Sequence, residues 1–193
     1  MKNIAVFCGS SDGNEPKVLD LAYELGRVLA KQNIGVVYGG AKIGLMGKVA
    51  EGALSMNGKV FGVIPLFLKR KEVFHPRLTE LITVDTMHER KLKMHERSDG
   101  FIALPGGFGT LEELFEIITW GQLGLHQNPI GVLNPDGFYD PMLTLLDTMV
   151  AKEFLKEENR DMVLVDHTID GLLTQMKNYQ PIAVPKWIAK EQT

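Results

Sequence analysis

The sequence predicts an α/β fold, a doubly wound parallel sheet with helices on both faces. Three observations lead there. Strand-length apolar runs alternate with helix-periodic segments along most of the chain. Several of these runs are apolar at every position, as strands covered on both sides must be. Glycine-rich turns close three of them, at Gly9-Ser10-Ser11, Gly39-Gly40 and Gly106-Gly107-Phe108-Gly109-Thr110.

Each element follows from local pattern. Residues 4–8 are continuously apolar and read as a buried strand. From Pro16 to Lys31 the residues Val18, Leu19, Ala22, Leu25, Val28 and Leu29 recur at three and four. That is an amphipathic helix, with Pro16 suited to its first turn. Residues 34–38 form a second strand, 44–56 a helix stopped by Gly58, and 60–64 a third strand closed by Pro65. The stretch 66–80, with its run Lys69-Arg70-Lys71-Glu72, is expected to be a solvated loop. Residues 81–84 read as a short strand, 86–97 as a charged helix and 101–104 as a strand. A helix from about Thr110 to Leu123 then follows the richest glycine turn. Beyond it come a strand at 130–133, a turn at Asn134-Pro135-Asp136-Gly137, a helix at 141–150, a strand at 162–165 and a helix at 169–177. No repeat, low-complexity block or linker divides the chain. Residues 1–180 are therefore expected to form one domain, and 181–193, with Pro181 and Pro185, a surface tail.

Composition narrows the function classes. Twenty-one basic residues against 24 acidic ones give a formal charge of −3, so no bulk attraction to nucleic acid or anionic membrane is expected. Cys8 is the only cysteine, which rules out an intrachain disulfide and a multi-cysteine zinc site. It ends an apolar run and reads as a buried, inert thiol. No signal peptide or membrane-spanning run is visible, and a reducing cytoplasm is the expected compartment. His75, His88, His95, His126 and His167 have no metal-ligand spacing, so no metal is expected. Neither a GxSxG elbow nor a GxxxxGK[ST] loop occurs.

The chemistry concentrates at the third glycine turn. In an open parallel sheet, ligands bind beyond the carboxyl ends of the strands. A helix that starts there offers free N–H groups and a positive dipole end to an anion. Thr110 adds a hydroxyl, as helix cap and phosphate donor. Ser10 and Gly40 stand in the two other turns and join the candidate ligand contacts. Glu112 and Glu113 sit in the first turn of that helix, where either one can meet the sugar of a bound nucleotide. A carboxylate so placed stabilises an oxocarbenium-like state and polarises a water. Spacing alone does not choose between the two. Met87-His88-Glu89-Arg90-Lys91 puts two adjacent cations on the preceding helix. Adjacent helical positions diverge by about 100°, so one of them faces the site squarely. Arginine clamps a phosphate or ribose in bidentate fashion better than lysine does.

Pro105-Gly106-Gly107-Phe108-Gly109-Thr110-Leu111-Glu112-Glu113 resembles the PGGxGTxxE signature of the LOG (Lonely Guy) family, the cytokinin riboside 5′-monophosphate phosphoribohydrolases. Residues 87–91 resemble that family's Arg-Lys motif, and residues 98–104 and 120–126 are also similar. The resemblance spans about residues 2–177. It implies a Rossmann-like fold, a homodimer, and hydrolysis of a nucleoside 5′-monophosphate such as AMP to free base and ribose 5-phosphate, with no cofactor. Carried over by motif, Arg90 and Glu113 are the catalytic pair. Lys91, Gly106, Gly107, Phe108, Gly109, Thr110, Leu111 and Glu112 line the nucleotide site, and Glu72 and Thr119 join them by position. One departure is Gly39-Gly40-Ala41, where many members carry a third glycine.

Other functions fit less well. A non-hydrolytic carrier of a nucleotide or molybdopterin-type cofactor has no need of a carboxylate at a scissile bond. A lysine decarboxylase, a label often given to the family, needs a Schiff-base lysine in a pyridoxal phosphate site. An NAD(P) oxidoreductase needs GxGxxG after the first strand, where this chain has Gly9-Ser10-Ser11. A DNA-binding module needs a basic stripe.

Overall fold

A computed structural model describes residues 1–69 and 74–182. Its elements run β1 (Asn3–Phe7), α1 (Pro16–Lys31), β2 (Gly35–Tyr38), α2 (Gly44–Ser55), β3 (Val60–Pro65), α3 (Leu66–Lys69), β4 (Glu80–Val84) and α4 (Met87–Glu96). The second half runs β5 (Phe101–Ala103), α5 (Phe108–Gln122), β6 (Ile130–Leu133), α6 (Asp140–Ala151), α7 (Glu157–Arg160), β7 (Val163–Asp166) and α8 (Ile169–Asn178). All seven strands are parallel, in the order β4-β3-β2-β1-β5-β6-β7. This is the doubly wound, Rossmann-like α/β sheet that the alternation predicts.

Strand β1 explains why the runs are apolar throughout. Ile4, Val6 and Cys8 point into one core layer with α1, α2 and α8, while Ala5 and Phe7 point into the other with α4, α5 and α6. Successive side chains of a strand leave opposite faces, so a strand in mid-sheet has to be apolar at every position. The sheet grows outward from β1 to β4, then α4 carries the chain back and β5 pairs with β1 on its free side. That reversal makes the β1/β5 boundary the switch point, the place beyond the strand ends where open α/β sheets bind ligands.

The expected loop at 66–80 contains a four-residue helix, α3, and a bridge between Ala41 and Phe74. The four-residue α7 was likewise not expected. Both are too short to show a helical period in sequence. Of the predicted tail, residues 183–193 lie outside the described residues, as does Glu72. Among the described residues, no helix is long and apolar enough to cross a membrane.

Candidate active site

Three turns meet at the carboxyl end of the sheet. The Gly9 amide donates to the Pro105 carbonyl at 3.1 Å, and the Met46 amide donates to the Gly9 carbonyl at 3.3 Å. Gly106 is pinned beneath this crossing. A Cβ there would stand 2.1 Å from the Thr110 hydroxyl and 2.9 Å from the Gly9 nitrogen. Gly107 and Gly109 are different, because a Cβ at either meets nothing within 4 Å and neither has a positive φ. Among the described residues no atom requires glycine at these two exposed positions, so what they leave is open approach to the backbone.

Helix α5 begins at Phe108, two residues before the sequence suggests, and its N-cap is Gly107. The expectation that Thr110 caps the helix is thereby corrected. Thr110 is buried in the first turn, with its hydroxyl against Gly106. The cap itself has no side-chain partner, so the first-turn N–H groups remain available. Phe108 is 93% exposed at their edge, and Leu111 packs partly into the core.

The two adjacent cations of α4 separate as helical geometry requires. Lys91 ion-pairs with Glu112 at 2.9 Å and Glu116 at 3.0 Å, tying α4 to α5. Arg90 turns toward the sheet end, where its Nε donates to the Val63 carbonyl at 3.1 Å and its Nη2 stands 3.9 Å from Glu113 Oε1. Both partners of that last contact are about nine-tenths buried (11% and 12% exposed). At 3.9 Å the pair is too open for a hydrogen bond. The two glutamates differ in burial and in partner. Glu112 is 60% exposed and engaged by Lys91, whereas Glu113 is the buried carboxylate facing the arginine.

Electrostatics single out Glu113 further. Burial raises its pKa, the Arg90 charge pulls it back, and the net result is about 7. Cys8 lies close by, and burial, reinforced by the Glu113 charge, pushes its thiol well above the ordinary range. It is buried and protonated, as the sequence implies. For Lys91, burial acts to lower the pKa, but hydrogen bonds and charges from Glu112 and Glu116 outweigh it and leave the amine above its usual value.

The remaining candidates are dispersed. A cleft of about 430 Å³ opens beside the glycine crossing, lined in part by Ser10, Asp12, Leu45, Gly106, Gly107 and Phe138. Ser10 is therefore at a cleft, although neither Arg90 nor Glu113 lines it. Gly40 is buried with φ +83°, and its carbonyl accepts from the His75 amide at 3.1 Å. Its backbone conformation by itself accounts for glycine at this position. Thr119 is exposed and donates to the Phe115 carbonyl at 2.7 Å. It lies six residues beyond Glu113, about 9 Å along the helix axis, so one chain does not bring it to the pair.

Comparison with known proteins places the chain in a family. A family model described as "Possible lysine decarboxylase" matches residues 46–176. A cytokinin riboside 5′-monophosphate phosphoribohydrolase of Arabidopsis thaliana is 44% identical over 180 residues, covering 93% of this chain and 84% of that protein. One from Oryza sativa subsp. japonica is 45% identical over 180 residues, covering 93% and 74%. Among solved structures, the molybdenum cofactor binding protein of Rippkaea orientalis superposes with a TM-score of 0.68 at 22% identity, covering 91% of this chain and 95% of that one, which shows a shared fold. With both signature motifs at the carboxyl end of the sheet and these identities running through nearly its whole length, the chain belongs to the LOG family, that of the cytokinin riboside 5′-monophosphate phosphoribohydrolases.

Proposed function

We propose that the chain hydrolyses the N-glycosidic bond of a nucleoside 5′-monophosphate, a cytokinin riboside 5′-monophosphate or AMP, to the free base and ribose 5-phosphate. The observation that carries this reading is the buried, open Arg90–Glu113 pair, set beside a helix start whose amides are uncovered at Gly107 and Gly109. The amides and dipole of α5 take the phosphate. Arg90 orients the substrate, and the Glu113 carboxylate faces the sugar. As the C1′–N bond breaks, the carboxylate stabilises the oxocarbenium-like carbon and accepts a proton from the attacking water. The hydroxyl of that water ends on C1′, and the proton passes to the departing base nitrogen. A carboxylate poised near neutrality suits both duties, because it can take up and return a proton at working pH. Lys91, held by Glu112 and Glu116, supports the site by fixing α4 against α5.

Decarboxylase chemistry does not fit this site. A Schiff-base lysine must lose its proton readily, and the buried Lys91 is held protonated by two carboxylates. We also read the chain as a cytoplasmic homodimer. Support for the dimer comes from large apolar side chains exposed on these two helices, Leu92 of α4 at 45% and Phe108 of α5 at 93%. The reducing compartment is consistent with a single, buried, free cysteine.

Glu113→Gln tests the reading. Base release from AMP or an N6-prenylated AMP should fall by about 10²–10⁴-fold while nucleotide binding persists. Near wild-type turnover in this variant would remove Glu113 from the mechanism.

A further inference from the structure

We infer that Gly39 is a positioning residue for Arg90: its missing side chain is the space that the guanidinium occupies. The inference rests on the role proposed above for Arg90. Gly39 follows β2 immediately, at the carboxyl end of the sheet. A Cβ built on it would stand 2.1 Å from Arg90 Nη2, the same atom that faces Glu113, and 2.8 Å from Met46 Sδ. No backbone atom is among its three nearest contacts within 4 Å. The φ of Gly39 is not positive, so alanine can adopt the local backbone without strain. The neighbouring Gly40 has the opposite reason for being glycine, a φ of +83°.

Arg90 is thereby held on three sides. The Val63 carbonyl takes its Nε, the bare Gly39 backbone lies against Nη2, and Glu113 stands across the gap. A methyl group at 39 has to move Nη2, because real Cβ contacts do not close to 2.1 Å. The two colliding atoms both belong to flexible side chains rather than to backbone, so the fold yields there and the guanidinium shifts. A displacement of about 1 Å at a reacting centre can cost on the order of 10²-fold in rate. Moving the cation away also removes the charge that holds the Glu113 pKa down, so that carboxylate should titrate at higher pH.

The test compares Gly39→Ala, Arg90→Ala and the double variant by adenine release from AMP, by the pH dependence of kcat/KM and by thermal unfolding. Gly39→Ala should fold and lose on the order of 10²-fold in kcat. Its acid-limb midpoint should move upward, and in the Arg90→Ala background it should cost little more. Gly39→Ala/Met46→Ala removes the sulfur contact and should be as impaired as Gly39→Ala alone. The inference is overturned if Gly39→Ala turns over like the wild type, if its pH midpoint stays put, if truncating Met46 restores it, or if it costs as much without Arg90 as with it. It is also overturned if Gly39→Ala unfolds and Arg90→Ala does not restore the fold. An active Arg90→Ala overturns the proposed catalytic pair as well. An inactive Arg90→Ala beside a fully active Gly39→Ala removes this inference alone.

Discussion

Glu113 is a residue whose burial and function pull in opposite directions. The proposed reaction needs it ionised, and its surroundings hold its pKa at about 7. The acid limb of kcat/KM should therefore rise by about tenfold per pH unit up to a plateau above pH 7, as an initial-rate profile would reveal. A midpoint near 4.5, the ordinary glutamate value, would mean that another group controls the rate. The same shift affects stability. The native state keeps a proton that the unfolded chain releases between pH 4.5 and about 7. The stability contributed by that proton is intact below pH 4.5 and lost as pH rises through 7, a loss on the order of 3 kcal/mol. Glu113→Gln stays neutral and escapes that loss. In urea melts it should be the more stable protein at pH 8 and lose most of that advantage at pH 4.5. Neither the raised pKa nor the choice between Glu112 and Glu113 was legible in the sequence. The first comes from burial and the second from partners on another helix, and adjacent residues reveal neither.

At the scale of elements, the glycines sort into those the fold requires and those it does not. Gly109 sits inside the first turn of α5 with open space where a Cβ would be. Gly109→Ala should raise stability by about 0.5–1 kcal/mol through helix propensity. It should also raise KM, since a methyl group intrudes where the proposed phosphate site offers its amides. Thermal unfolding alongside steady-state kinetics would show both effects, and a stabilised variant with unchanged KM would place the anion elsewhere. Helices α1 and α2 show the contrary case. A Cβ on Gly26 would stand 2.1 Å from the Val49 carbonyl oxygen, and one on Gly52 would stand 1.9 Å from that of Tyr23. Backbone cannot yield as a side-chain tip does. Gly26→Ala and Gly52→Ala should each destabilise by about 1–3 kcal/mol or more, measured by chemical denaturation, with the site chemistry untouched. Sequence periodicity located both helices well, because their apolar stripes face one layer of the sheet. It said nothing of how closely they pack, since two distant glycines acquire that meaning only once the helices cross.

For the whole molecule, sheet order decides where function can sit. Because β5 returns beside β1, the turns after these strands become neighbours, and α4 crosses back to set Arg90 over the ends of β2 and β3. The proposed dimer belongs to this scale. Sedimentation equilibrium should find a species of two chains, and Leu92→Glu on the exposed face of α4 should shift it toward one, as a charge buried in an apolar interface is costly. A monomeric wild type would leave Leu92 as an ordinary surface side chain.

What the sequence determined by itself was whatever local pattern can encode. Burial on both sides makes strands apolar throughout, a stripe at three and four makes a helix, and a run of glycines before a helix leaves its amides bare. These fixed the fold class, the strand–turn–helix setting of the site and, through the resemblance, the names of its residues. The tertiary structure decided what depends on meeting across the chain. It paired Arg90 with Glu113 and Lys91 with Glu112 and Glu116, turned Thr110 inward, and filled the space above Gly39 with a guanidinium. The physical reason is range. Backbone preference acts over a few residues, whereas the charge and burial that tune a site come from side chains brought together from separate strands and helices.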